Sequence, residues 1–191
     1  MSNAREFIID VYVYAKTMDG FFVGTYDMLC DGGRVESRII KYRKGNQELS
    51  CIYVSTLHKA FLRAADYIGK YAIPIIDPQK DVLVKRGKRL DGRSSVYVNF
   101  VFRFHIVDTR ALAMVKCDNS ISFTQNEEKW KNLFKLLTMN IQKTQTPYKN
   151  LIVRTRTDTV SCKTEEVADM AEYADTELKN IVNSHNAKNG Q

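Results

Sequence analysis

Only four cysteines occur in 191 residues, Cys30, Cys51, Cys117 and Cys162, and they stand far apart with no CxxC or Cys/His pair. That scatter excludes a disulfide framework and a zinc site, and leaves reduced thiols of an intracellular protein as the expectation. No run of about 18 apolar residues exists. The amino terminus also lacks a basic region followed by an apolar one, so the chain is expected to be soluble and cytoplasmic, without a signal peptide. Walker A, Rossmann, HExxH and GxSxG words are absent, which removes the common nucleotide-binding, zincin and serine-hydrolase readings. The three histidines, His58, His105 and His185, are widely separated and read as packed or surface residues. There is no internal repeat and no low-complexity segment.

What is present is an ordinary globular composition, 44% hydrophobic and 27% charged, with a formal net charge of +7. The length suits one domain, expected over residues 5–183 with a flexible tail at 184–191. The positive balance favours a polyanionic partner, because Lys and Arg that neutralise phosphates release condensed counterions.

Residues 6–14 (EFIIDVYVY) are rich in β-branched and aromatic side chains and predict a strand, with Asp10 as an unexplained charge inside it. Asp19-Gly20 and Asp31-Gly32-Gly33 supply turns to second and third strands at 21–30 and 34–43, an antiparallel meander. From Glu48 to Ile68, the apolar positions Leu49, Ile52, Tyr53, Leu57, Ala60, Phe61, Ala64 and Ile68 recur at helical spacing. Gly69 breaks that pattern, and 71–76 reads as a buried strand ending on Asp77, where an open α/β sheet builds its sites.

Residues 80–93 concentrate six Lys or Arg and form a candidate phosphate-contacting loop. Residues 95–107 alternate as a strand, and 111–123 is expected to hold one or two more. Residues 127–143 form a helix with Glu127 and Glu128 in its first turn. Residues 151–156 make a short strand. A last helix begins near Thr164 and carries the stripe Val167, Met170, Ala171, Ala174, Leu178 and Ile181, with Asp169 just off it.

Four acids, Asp10 in the first strand, Glu48 opening the first helix, Asp77 ending the fourth strand and Asp169 in the last helix, together resemble the layout of type 1 ribonuclease H. Gly45-Asn46-Gln47-Glu48-Leu49 looks like that family's Asn-rich loop running into Glu-Leu. Ile75-Ile76-Asp77-Pro78-Gln79 is similar to its Thr-Asp-Ser-Gln segment, and Glu165 to Ala171 resembles its terminal Asn-Glu-x-x-Asp-x-Leu-Ala. The resemblance implies an α/β, ribonuclease H-like mixed sheet, the antiparallel meander plus parallel strands flanked by helices, with a β-rich insertion at about 85–125.

The same resemblance implies a metal-dependent endonuclease that hydrolyses the RNA strand of RNA–DNA hybrids with two Mg²⁺ or Mn²⁺ ions. Asp10 would bridge the ions, Glu48 and Asp77 would share the first ion and the attacking water, and Asp169 would complete the second ion's shell. Asn46, Gln47 and Gln79 would lie against the minor groove of the hybrid, where amides can reach the 2′-hydroxyl. Lys85, Arg86, Lys88, Arg89 and Arg93 would stand at the base of the insertion, in the place of a basic protrusion.

Two departures support an alternative, a non-catalytic nucleic-acid or protein-binding module on the same fold, such as a viral or phage accessory or structural protein. Val11-Tyr12-Val13 follows Asp10 where the family has Gly and a small residue. Residues 154–164 hold no His where the family offers one, leaving Asp158 as the substitute.

Overall fold

The two Asp-Gly pairs do what their chemistry suggests. In the computed structural model, which describes residues 6–45, 47–72, 83–85, 95–141 and 151–190, Asp19 and Gly20 have φ of 52° and 76°, and Asp31 and Gly32 have 47° and 82°. Two consecutive left-handed residues form the hairpin turn whose twist matches that of its strands. They join β1 (Glu6–Met18), β2 (Phe21–Cys30) and β3 (Gly33–Tyr42) in an antiparallel meander.

The sheet is completed by β5 (Ser95–Ile106), parallel to β1, and by β6 (Leu151–Ser161), parallel to β5 along its other side. A three-residue strand, β4 (Leu83–Lys85), pairs antiparallel with the start of β5. The spatial order is β3-β2-β1-β5-β4, with β6 also on β5. Helices α1 (Leu49–Tyr67), α2 (Thr109–Val115), α3 (Gln125–Ile141) and α4 (Ala168–Asn189) flank it. None of the described helices is long and apolar enough to cross a membrane.

Alternation divides the sheet's residues between two faces. Phe7, Ile9, Val11 and Val13 of β1 stand beside Phe100, Phe102, Phe104 and Ile106 of β5, and all eight are buried. The buried stripe of α1 covers them, with the Phe61 ring edge-on to Phe102 and Phe104 at 4.6 and 5.3 Å. The opposite face is covered by α4, whose Ala174 and Leu178 pack on Val23. Gly24 lets α1 lie close to β2: a Cβ there would stand 2.0 Å from the Thr56 hydroxyl.

Several expectations are corrected. The 95–123 stretch is not an insertion at about 85–125: its 95–106 part lies in the middle of the sheet between β1 and β6, because Phe100 to Ile106 supply one side of the core. Residues 109–115 are the helix α2, capped by the Asp108 carboxylate on the Ala111 amide, and 111–123 contains no strand.

The segment before Asp77 also differs from the expected strand. Gly69 does not end the helix, which widens into a π-helical turn over Ile68–Ala72, so Tyr71 and Ala72 are helical. The rest of that segment, with Asp77 and Gln79, lies outside the described residues. β6 runs to Ser161, which puts Asp158 in a strand rather than a loop. α4 continues through the expected flexible tail to Asn189.

Candidate functional site

The parallel strands β5 and β6 end together at Ile106 and Ser161, beside Val13 of β1, which runs on along β2 to Met18. The crevice beyond such strand ends is where open α/β sheets bind and react. Here side chains occupy it. Tyr14 of β1 meets the Tyr53 ring edge-on at 6.2 Å, and Cys162, Val167 and Met170 pack against Tyr12, Tyr14 and Val107. Tyr53 and Cys162 are buried. Burial pushes the Tyr53 hydroxyl well above its ordinary range. The Cys162 thiol is raised to about 11 by burial and by the Glu166 charge.

Asp10 lies lower on β1, opposite Arg103 of β5. Its carboxylate is 2.7 Å from His105 Nε2, and the His105 ring stacks on Tyr12 at 4.0 Å and 9°. The charge inside the first strand thus has a partner on the neighbouring strand.

Glu48 is the residue before α1 and turns toward the start of α3. Hydrogen bonds from the Thr124 hydroxyl, its own backbone, Cys51 and Asn126 lower its pKa. Beside it, Glu127 is fully buried. The Arg110 guanidinium holds Glu127 through Nε at 2.5 Å and Nη2 at 2.6 Å, Ser50 donates at 2.7 Å, and the Thr124 amide donates at 2.9 Å. The Arg110 pair, despite burial, brings the Glu127 carboxyl down to about 2. Arg110 also lies in the fields of Asp108 and Glu48. Arg110 thus binds Glu127 directly and feels the charges of Asp108 and Glu48 as well.

Asp169 sits on α4 over the other side of the meander. Its groove is lined from β2, β3 and α4, by Thr25, Asp27, Arg34, Ser37 and Tyr173 among others, and by neither Asp10 nor Glu48. The three predicted acids that are described thus stand in three separate settings. No group of three or more His, Cys, Asp or Glu side chains among the described residues could hold a metal ion. Asp10, Glu48 and Asp169, where they stand, do not fit a two-ion site. Gln47 lies in the link between β3 and α1, two residues before the helix, Lys85 ends β4, and Asn46, Asp77, Gln79, Arg86, Lys88, Arg89 and Arg93 lie outside the described residues.

The acid at the end of the strand beside β1 is Asp108, which sequence reasoning passed over in favour of Asp77. Its signal was present: Asp three residues before the apolar run Ala111-Leu112-Ala113-Met114 is an N-cap pattern. Thr124-x-x-Glu127 is likewise a capping box, realised by reciprocal bonds of 2.9 and 3.2 Å. Nothing in the sequence announces that Arg110 closes on Glu127.

No protein-family model and no curated protein sequence matches the chain. Solved structures do. Ribonuclease H1 from the halophilic archaeon Halobacterium salinarum NRC-1 is similar with a TM-score of 0.50 and 10% identity, over 91% of this chain and 98% of that one. LC11-RNase H1, isolated from compost by a metagenomic approach, is similar with a TM-score of 0.52 and 10% identity, over 91% and 97%. The same LC11 enzyme in complex with an RNA/DNA hybrid gives 0.50 and 11%, over 91% and 99%. This chain has a ribonuclease H-like fold.

Proposed function

We propose that this chain is a nucleic-acid-binding module that keeps a ribonuclease H-like fold without the metal-dependent chemistry. One observation carries the reading: Arg110 binds Glu127 and feels the charges of Asp108 and Glu48, while aromatic and apolar side chains fill the crevice itself. A guanidinium at that point supplies the positive charge those carboxylates need, and an ion placed beside it would meet like-charge repulsion. The charge of +7 supports a polyanionic partner, and the LC11 neighbour was solved in complex with an RNA/DNA hybrid.

In this reading residues 5–183 act as one domain inside the cell. Lys85, Arg86, Lys88, Arg89 and Arg93 neutralise phosphates, and Asn46, Gln47 and Gln79 offer amides to the sugar edge. Phosphate contacts position a strand without reading its sequence, so little base preference is expected.

A second reading is hydrolysis of the RNA strand of RNA–DNA hybrids with two Mg²⁺ or Mn²⁺ ions on Asp10, Glu48, Asp77 and Asp169. The fold favours it. It requires Asp10 to leave His105, Glu48 to leave the start of α3, and Asp169 to approach from the meander side.

Labelled RNA–DNA hybrid, double-stranded DNA and single-stranded RNA, each incubated with the protein and Mg²⁺ or Mn²⁺, separate the two readings. The binding module shifts the labelled strands without cutting them, and its affinity falls steeply between about 50 and 200 mM salt. Metal-dependent cutting that the Asp77→Asn protein lacks establishes the hydrolase instead. Neither binding nor cutting defeats both.

A further inference from the structure

Strand β3 lies at the end of the sheet order and pairs with β2 alone among the described residues. Gly33–Tyr42, ten residues with a bulge at Val35, therefore present along one side donors and acceptors that no described strand pairs. Two grooves flank that edge. One, of about 480 Å³, opens toward α1 and is lined by Arg38, Lys41, Lys59, Leu62 and Arg63 with no acidic residue. The other, of about 490 Å³, opens toward α4 and is lined by Arg34, Ser37, Asp169 and Tyr173. Both reach Arg38 and Ile39, so they meet at the edge itself.

Side chains of a strand point alternately to opposite faces. A strand added to β3 would therefore drop successive side chains into one groove and then the other, which is how strand-adding recognition obtains specificity. The α1-side groove sets the charge. Arg63 is paired with Glu36 at 3.3 Å and Lys41 with Glu177 at 2.7 Å. Lys59 lies over the Tyr42 ring at 4.5 Å, and Arg38 lies near the Tyr26 hydroxyl and lowers its pKa against the larger effect of burial. Neither Lys59 nor Arg38 makes an ion pair among the described residues. Leu62, 46% exposed, and Tyr173, 53% exposed, add apolar surface on the two sides.

Basic residues on an edge also discourage pairing with a second copy of the same edge. That repulsion selects an acidic partner over self-association. We propose that the edge of β3 docks an extended acidic segment of another polypeptide, which adds a strand to the sheet and places its carboxylates against Arg38 and Lys59. This inference is independent of the nucleic-acid reading.

The test uses the full chain and a fluorescein-labelled, end-blocked peptide of about nine residues alternating Glu with Val, a length matched to the edge. Fluorescence anisotropy is expected to show saturable binding. It should weaken at least about tenfold when alternate amides along one peptide edge are N-methylated, and similarly in the Arg38→Glu/Lys59→Glu protein. Thermal melting of that variant confirms that it folds, and Lys59→Gln serves if it does not. A Lys/Val peptide should not bind. Binding insensitive to N-methylation, no peptide binding at all, or binding at this edge of an oligothymidylate and not of the peptide overturns the proposal.

Discussion

Glu127 offers the sharpest quantitative test of the structure, because it is fully buried and held by charge. Its carboxyl falls from the ordinary 4.5 to about 2. At 1.36 kcal/mol for each tenfold change in proton affinity, that corresponds to about 3 kcal/mol of stability. Arg110 is 44% exposed on its outer side, and water there screens the pair, so about 2 kcal/mol is the working figure. The folded-state value lies below the unfolded one, so the contribution is complete above pH 4.5 and is lost as pH falls toward 2. By about pH 3 a little over half of it is gone.

Glu127→Gln keeps the shape and removes the charge. Urea unfolding followed by circular dichroism should show the variant less stable by about 2 kcal/mol at neutral pH and by less than about 1 kcal/mol near pH 3. The gap narrows because protonation removes the same charge from the parent. A gap that stays constant across this range, or one below about 0.5 kcal/mol at neutral pH, would refute the reasoning.

Three further outcomes follow from other parts of the molecule. Gly24→Ala drives a methyl into the Thr56 hydroxyl that Tyr42 holds at 2.9 Å; thermal or urea unfolding should show a loss of about 2–3 kcal/mol, partly recovered in the Gly24→Ala/Thr56→Ala double variant. Asp10→Asn changes only the bond to His105, so it should cost about 1 kcal/mol in urea unfolding and leave nucleic-acid affinity unaltered; a variant that binds as tightly but has lost a metal-dependent cleavage would sink the non-catalytic reading. Cys51 and Cys162 are buried, with thiols raised to about 12 and about 11. Alkylation near pH 8 should therefore modify Cys30 and Cys117 first, and mass spectrometry finding Cys51 or Cys162 labelled as fast would contradict the packing.

The meander and the main helices were legible because each is specified locally. Asp-Gly pairs fix the two turns, and the apolar stripe of α1 needs only its own spacing. The order of strands across the sheet is not local information. Residues 71–76 and 95–107 both read as apolar strands, and what seats 95–106 beside β1 is the match of Phe100, Phe102, Phe104 and Ile106 to Phe7, Ile9, Val11 and Val13 across the register. That complementarity becomes visible only once the two segments are laid side by side. The choice of Asp77 followed from the same local reading, as the end of a segment whose first two residues are helical.

The candidate site was illegible for a related reason. Acids were recognisable from their positions on elements, yet a metal site depends on where their side chains converge, and that is decided by neighbours far away in sequence. His105 lies 95 residues from Asp10, and Glu127 lies 17 from Arg110 and 77 from Ser50. Asp10 and Glu127 were thus matched to His105 and Arg110, partners that no motif announces. One departure was visible locally: Val11-Tyr12-Val13 after Asp10 put large side chains where close approach of a ligand would favour small ones. Tyr12 stacks on His105 and Tyr14 fills the strand-end crevice against Tyr53. The bulk that departs from the pattern of the resemblance therefore packs along β1 and at the strand ends.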